Sequence, residues 1–326
     1  MKRILTGLQP SGELTLGSLI GGIKQSIKYQ EEYDSFIFVP DLHAITVPQD
    51  QKLLHERIKK NVAVYIACGI DPKKNTIYIQ SENLYHTNLS WILECTAYMG
   101  EASRMTQYKD KSTKYKNIPV GLFTYPILMA SDILLYDADY VPTGIDQKQH
   151  VELCRDLAER FNNRFGNTFK IPEPMIPEMG AKIMDLQEPT KKMSKSSENP
   201  KGIIYLLDPE STIRKKIMSA VTDSDATIYY DPENKPGISN LLTIYASLKE
   251  ITIEEAVAHF QEYNYGSLKK EVADVVVEKL TTIQAKYNEI INSDELDRIL
   301  DEGKNKTTEI AKKKYEEVIR MIGLGR

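Results

Sequence analysis

Cysteine is scarce in this chain: Cys68, Cys95 and Cys154 are odd in number, widely spaced and form no CxxC pair. Neither a disulfide framework nor a cysteine-based zinc or iron-sulfur centre is expected from them, and a reduced cytoplasm suits such usage. Long apolar runs are missing as well. No stretch approaches membrane-spanning length, and the opening MKRILTGLQPSGE turns polar before a secretory apolar segment could form, so neither a membrane span nor a targeting signal is expected. There is no basic excess either: 42 Lys and Arg stand against 46 Asp and Glu, a formal net charge of -4. That balance argues against a nucleic-acid coat and leaves any polyanion contact to local patches. Internal repeats and low-complexity tracts are absent.

What is present is enough apolar sequence, 41% of 326 residues, to bury at least one sizeable core in one or two domains. ILTGLQ reads as a strand that ends in Gln9, Pro10, Ser11 and Gly12, and a helical pattern follows over residues 17–30. SFIFVPDLHAI and NTIYIQSE are further strand candidates, with a helix over residues 53–68 between them. This alternation predicts an α/β fold, a Rossmann-type parallel sheet with helices on both faces. TYPILMASDILLYDADYV places Pro126 at a helix start, and DQKQHVELCRDLAERFNNRFG is an amphipathic helix closed by Gly166. Residues 171–202 are rich in proline and read as a long functional loop. Beyond them Val272, Val276, Leu280, Ile283, Tyr287 and Ile290 fall on one helical stripe, Ser293 caps a short helix ended by Gly303, and a last helix carries Ile310, Tyr315, Val318, Ile319 and Ile322. The expected division is 1–188 for a Rossmann-type catalytic domain, 189–202 for a lysine-bearing loop and linker, and 203–326 for a smaller all-α domain, with room for its last helix to pack back on the first.

Two segments suggest phosphate chemistry. The loop QPSGELTLGS delivers Gly12 and Gly17 to the carboxyl end of the first strand, just ahead of a helix, where backbone amides can meet a nucleotide. It matches neither the P-loop nor the G-x-G-x-x-G fingerprint, and Gly21 and Gly22 read as residues that let the helix pack closely on the sheet. The second segment, PTKKMSKSSENPKG, sets Lys191, Lys192 and Lys195 between Pro189 and Pro200, with Ser194, Ser196 and Ser197 as hydroxyl donors and Met193 as the one apolar anchor. A lysine run is commonly a solvated face. Here the setting favours a mobile loop whose ammonium groups follow migrating phosphate charge, each contact worth roughly 4 kcal/mol before desolvation.

The order of these pieces resembles the class I aminoacyl-tRNA synthetases. KMSKS, formed by Lys192, Met193, Ser194, Lys195 and Ser196, matches that class's second signature letter for letter, and TLGS at Thr15 to Ser18 is a degraded form of its first. TGLQPSGELTLG, DLHAIT, TYPILMASDILLY, GIDQKQH, PTKKMSKS and KPGISNLL, in order over essentially the whole chain, narrow the resemblance to the bacterial tryptophanyl-tRNA synthetases. That resemblance implies activation of L-tryptophan by ATP with release of pyrophosphate, transfer to the terminal ribose of tRNA(Trp), a need for Mg2+, and a homodimer whose helical domain serves the anticodon side. It also implies an ATP site lined by Gln9, Pro10, Ser11, Gly17 and Ser18, with Gly144, Ile145 and Asp146 near the ribose and Ile183 at the adenine. Lys192, Met193, Ser194, Lys195 and Ser196 would take the phosphates, and Lys111 would approach them from a second loop. At Ser18 the chain departs from the family, which usually has Asn.

For the amino acid, the resemblance gives Asp132 the indole N–H, Met129 and Val141 the ring, Tyr125 and Gln147 the amino group, and His43 a place at the pocket. An acceptor-only carboxylate complements indole, which has one donor and no acceptor. The residues alone leave open a plainer alternative, Asp132 at a helix edge beside Ser131, bonded to local backbone. No general base is expected of His43, since the substrate carboxylate is already ionised and attacks the α-phosphate in line. His43 and His150 read as packing or polar contacts. The rival readings are a tyrosyl-tRNA synthetase and a non-catalytic RNA-binding paralogue.

Overall fold

The computed structural model describes residues 1–8, 10, 12–106, 108–109, 117–144, 147–176, 181–194 and 199–326. Its centre is a five-stranded parallel sheet in the order β3-β2-β1-β4-β5, formed by Arg3–Gly7 (β1), Asp34–Val39 (β2), Asn75–Ile79 (β3), Tyr140–Pro142 (β4) and Glu173–Met175 (β5). The order reverses between β1 and β4, which opens a crevice at their carboxyl ends. Side chains alternate across the sheet as the strand period requires: Ile37, Val39, Ile77 and Ile79 face one core, and Phe36, Phe38 and Tyr78 face the other. Helices cover both. Gln51–Ala67 lies over the first face, and Tyr85–Glu94, Val120–Leu134 and Lys148–Phe165 lie over the second.

β4 and β5 have three residues each and were not legible as strands; β5 falls inside the presumed loop of residues 171–202. Pro126 does not start its helix. The helix begins after Pro119 and carries Pro126 inside it. Gly21 and Gly22 do not serve close packing: they sit in a π-helical turn, Leu19–Ile23, where a Cβ on Gly22 would meet nothing within 4 Å.

Beyond residue 202 the described regular elements are all helices, and the first core continues into them through Ile213, Ile238, Val272, Val276 and Leu280. Gly303 does not end a helix. Glu295–Met321 is one continuous helix, and Gly303 lies where it crosses edge strand β3, so close that an added Cβ would stand 1.8 Å from the Ile77 carbonyl oxygen. Lys306 donates to Thr76 Oγ1 beside it (2.8 Å). The helix thereby covers an edge that would otherwise offer unpaired backbone to another chain. Leu296 and Leu300 enter the first core, whereas Ala311 and Val318 enter the second. Ordinary helix propensity makes Gly to Ala favourable by about 1 kcal/mol. At Gly303 the obstacle is rigid backbone, so Gly303→Ala is expected to destabilise by about 1–3 kcal/mol, read as a lower urea midpoint.

Candidate functional site

A cavity of about 460 Å³ opens at the reversal of strand order. Gly7, Phe38, Pro40, Val141 and Pro142 form its floor at the ends of β1, β2 and β4. Tyr125, Met129 and Asp132 line one wall, spaced four and three along Val120–Leu134 so that they share a helix face. His43 enters from Asp41–Ala44, the short helix that follows Pro40, and Pro10, Gly144 and Gln147 close the rim. The sequence-predicted residues His43, Tyr125, Met129, Asp132, Val141, Gln147, Pro10 and Gly144 are thus brought to one cavity. Thr46, Val47 and Gln49 also line it and were not anticipated.

Asp132 is fully buried and is not at a helix edge bonded to local backbone. Its Oδ1 accepts from Gln80 Nε2 (2.7 Å) and His86 Nδ1 (2.6 Å), and its Oδ2 accepts from His43 Nε2 (2.7 Å). His86 Nε2 meets the hydroxyl of Tyr136 (2.9 Å), which Asn83 Nδ2 also reaches (3.0 Å). One proton arrangement satisfies the chain: Asn83 donates to Tyr136, Tyr136 to His86 Nε2, and His86 Nδ1–H to the carboxylate. Burial pushes the Asp132 carboxyl up, but electrostatic attraction and hydrogen bonds from the His43 and His86 rings outweigh it and hold the group below its ordinary value. A carboxylate has about four lone-pair sites, and three are taken. The fourth is on Oδ2, the oxygen shared with cavity-lining His43.

Gln80 and His86 were missed. They follow β3, on the Gln80–Glu82 turn and in the first turn of Tyr85–Glu94, and the only signal was their position just past a buried strand. His150 makes the polar contacts expected of it: Nδ1 meets Gln147 Oε1 (2.7 Å) and Nε2 meets Tyr125 Oη (3.3 Å), so it joins two cavity residues.

The first loop is held by another unanticipated residue. Buried Asn61 donates to the carbonyl of Pro10 (3.1 Å), and Gly12 takes a positive φ of 75° that favours glycine. Ser18 has a local duty: Thr15 and Ser18 form a reciprocal capping box at the helix start, with Ser18 Oγ accepting from Thr15 N (3.3 Å). Gly17 brings the two sequence signatures together, since a Cβ there would lie 3.6 Å from Met193 Cβ and 3.7 Å from Ile183 Cβ. Met193 is buried, and its N–H donates to the carbonyl of Ile183 (3.0 Å), while Asp185 N donates to Lys191 (2.8 Å). The start of the lysine segment is therefore fixed to the fold. Lys191 pairs with Glu188, and Lys192 is exposed. Ser194 is half-buried. Gln9, Ser11, Lys111, Ile145, Asp146, Lys195, Ser196 and Ser197 lie outside the described residues.

Asp132→Asn keeps the volume but turns an amide N–H2 toward at least one existing donor, at a cost of about 2 kcal/mol at pH 7. Because the folded carboxyl is held low, its stabilisation is complete above the unfolded value near 3.9 and is lost as pH falls through the lower folded value. The gap between wild type and Asp132→Asn should therefore narrow from pH 7 to pH 3 in urea unfolding; a constant gap would contradict the ionised, triply bonded state.

Residues 1–281 match the model of a family described as tRNA synthetases class I (W and Y). Over its full length the chain is 54% identical to the tryptophan--tRNA ligase of Bacillus anthracis, covering 100% of this chain and 99% of that one. Among solved structures it is similar to the tryptophanyl-tRNA synthetase of Mycoplasma pneumoniae, with a TM-score of 0.87, 38% identity and coverage of 100% and 98%. It is equally similar to that of Campylobacter jejuni complexed with ADP and tryptophan, at a TM-score of 0.87, 37% identity and coverage of 99% and 100%.

Proposed function

The chain belongs to the class I tRNA synthetases of the tryptophan and tyrosine family, and on that footing we propose that it ligates tryptophan to its tRNA. The amino acid's carboxylate attacks the α-phosphate of ATP, pyrophosphate leaves, and the tryptophanyl group then passes to the terminal ribose of tRNA(Trp). The observation that carries the reading is the buried carboxylate of Asp132, with one acceptor site left, in a largely apolar cavity at the switch point of the sheet. Indole supplies one donor and a flat apolar body, and phenylalanine would leave that acceptor empty. Met129 and Val141 suit the ring, and Tyr125 and Gln147, tied through His150, suit the amino group. A tyrosine hydroxyl could also donate to Asp132, so the choice of tryptophan rests on the full-length relatives.

ATP would lie across the first loop, against Pro10, Gly17, Ser18 and Gly144, with Ile183 at the adenine. The nearness of Gly17 to Met193 and Ile183 supports this, because Lys192 and Ser194 flank Met193 and so stand near the start of the first helix. By resemblance Gln9, Ser11, Ile145 and Asp146 complete the site, and Lys195, Ser196 and Lys111 reach the phosphates. Ammonium groups there stabilise the charge that develops on departing pyrophosphate. Magnesium would arrive with ATP, since Mg2+ commonly takes its ligands from substrate phosphates and water.

A cytoplasmic location is supported by free Cys68, Cys95 and Cys154, and among the described residues no helix is long and apolar enough to cross a membrane. A homodimer is supported by a groove lined by Ile45, Trp91, Leu128 and Tyr125, with Val120 exposed between the lining residues Pro119 and Gly121. Trp91 is 67% exposed and Tyr125 lines the cavity too, so a second copy seated there would reach the site.

ATP–pyrophosphate exchange with each of the twenty amino acids tests the assignment. Tryptophan alone should support rapid exchange, and rapid exchange with tyrosine would overturn the substrate. Lys192→Ala should lower the rate of adenylate formation by about 10²-fold or more, and Asp132→Asn should erode discrimination among aromatic amino acids. Trp91→Glu should shift the protein toward monomer in sedimentation velocity, whereas an unchanged dimer would place the interface elsewhere.

A further inference from the structure

The KPGISNLL segment begins with more buried polarity than a helix start requires. Lys235 is only 1% exposed; its ammonium donates to Asp223 Oδ1 (2.8 Å), Tyr265 Oη (3.0 Å) and the carbonyl of Thr227 (3.2 Å), and lies 4.8 Å over the ring of Tyr229. Pro236 opens the helix Pro236–Lys249. Gly237 leaves no room for a side chain, since a Cβ would stand 2.1 Å from the carbonyl oxygen of Val221, whose own N–H donates to Leu186 (2.8 Å). The helix start is thus fixed on both sides.

One turn further, buried Asn240 turns its amide on a single backbone residue. Its Oδ1 accepts from Met184 N (2.8 Å) and its Nδ2 donates to Met184 O (2.9 Å). Met184 is the residue opposite Lys192 in a short antiparallel bridge. The bridge's hydrogen bonds come from the flanking pairs, Met193 to Ile183 and Asp185 to Lys191. In such a pair the N–H and C=O of the central residue point away from the partner strand. Without Asn240 the two polar groups of Met184 would have no strand to meet; the primary amide answers both, as a third strand would.

We propose that Asn240 is a positioning residue for the lysine segment. Acting through Met184, it fixes the height and direction of Lys192 against Gly17, so that the helical region sets the reach of this ammonium toward phosphate. The proposal rests on the assignment of Lys192 to ATP phosphates. A misplacement of about 1 Å at a reacting group can cost about 10²-fold in rate.

A double-mutant cycle in the full-length protein, followed by ATP–pyrophosphate exchange with tryptophan, tests it. Asn240→Ala should lower the exchange kcat by about 10-fold or more with the KM for tryptophan nearly unchanged. In a Lys192→Ala background the same change should cost less than about 3-fold, because the group it positions has gone. Circular dichroism and tryptophan binding report whether each variant is folded. If Asn240→Ala is not, Asn240→Ser, which keeps one hydrogen bond, is measured against the same criteria. An undiminished kcat in the single variant overturns the proposal, as does an equal further loss in both backgrounds. Lys192→Ala at wild-type speed would instead sink the phosphate assignment of Lys192, and the proposal with it.

Discussion

A single buried carboxylate organises the site. Asp132 stays charged in an apolar setting only because Gln80, His86 and His43 supply three donors, and these come from the turn after β3, the helix that follows it and the short helix after β2. Isolated in such a place, a carboxylate would be strongly disfavoured; partnered, it becomes a fixed point on which separate elements converge. The same arrangement explains why the cavity has its chemistry. Three acceptor positions serve the protein, so the structural role of Asp132 and the recognition role proposed for it draw on one hydrogen-bond count rather than competing for the residue.

A second set of contacts ties the nucleotide side together. The first loop is braced by Asn61, its helix starts on the Thr15–Ser18 capping box, and Gly17 lies beside Met193 and Ile183. Ser18 in place of the family's usual Asn is thereby engaged in helix capping, and its hydroxyl has a defined partner before any ligand arrives. Residues 14–16 also exchange backbone hydrogen bonds with residues 204–206, downstream of the lysine segment. The stretch that carries Lys191 and Lys192 is therefore held between Ile183 and Asp185 on one side and residues 204–206 on the other, and Asn240 adds a brace from the helical region.

Glycine and proline take roles here that depend on what lies across from them in space. Gly166 does close its helix, with φ at 106°, as a local signal should. Gly303 carries the same residue type and the opposite role, because its contact is with a strand more than two hundred residues away in sequence. Pro126 sits within a helix whose neighbours pack it firmly enough to outweigh its poor propensity. β4 and β5 are too short to carry an alternating pattern, and both depend on register with their neighbours.

The chain by itself determined the local and periodic features: the β1–loop–helix opening, the strands β2 and β3, the amphipathic helices and the lysine segment, and its motifs carried part of the cavity lining, His43, Tyr125, Met129, Asp132, Val141 and Gln147 among it. Tertiary structure decided which of those residues meet. Gln80, His86 and Asn61 carry no motif signal of their own, and Asn240, although it falls within KPGISNLL, carries none that names Met184, since a buried amide or imidazole is defined by a partner distant in the chain. The physical reason is that hydrophobic periodicity is written in neighbouring residues, whereas the satisfaction of a buried polar group is written only in three dimensions.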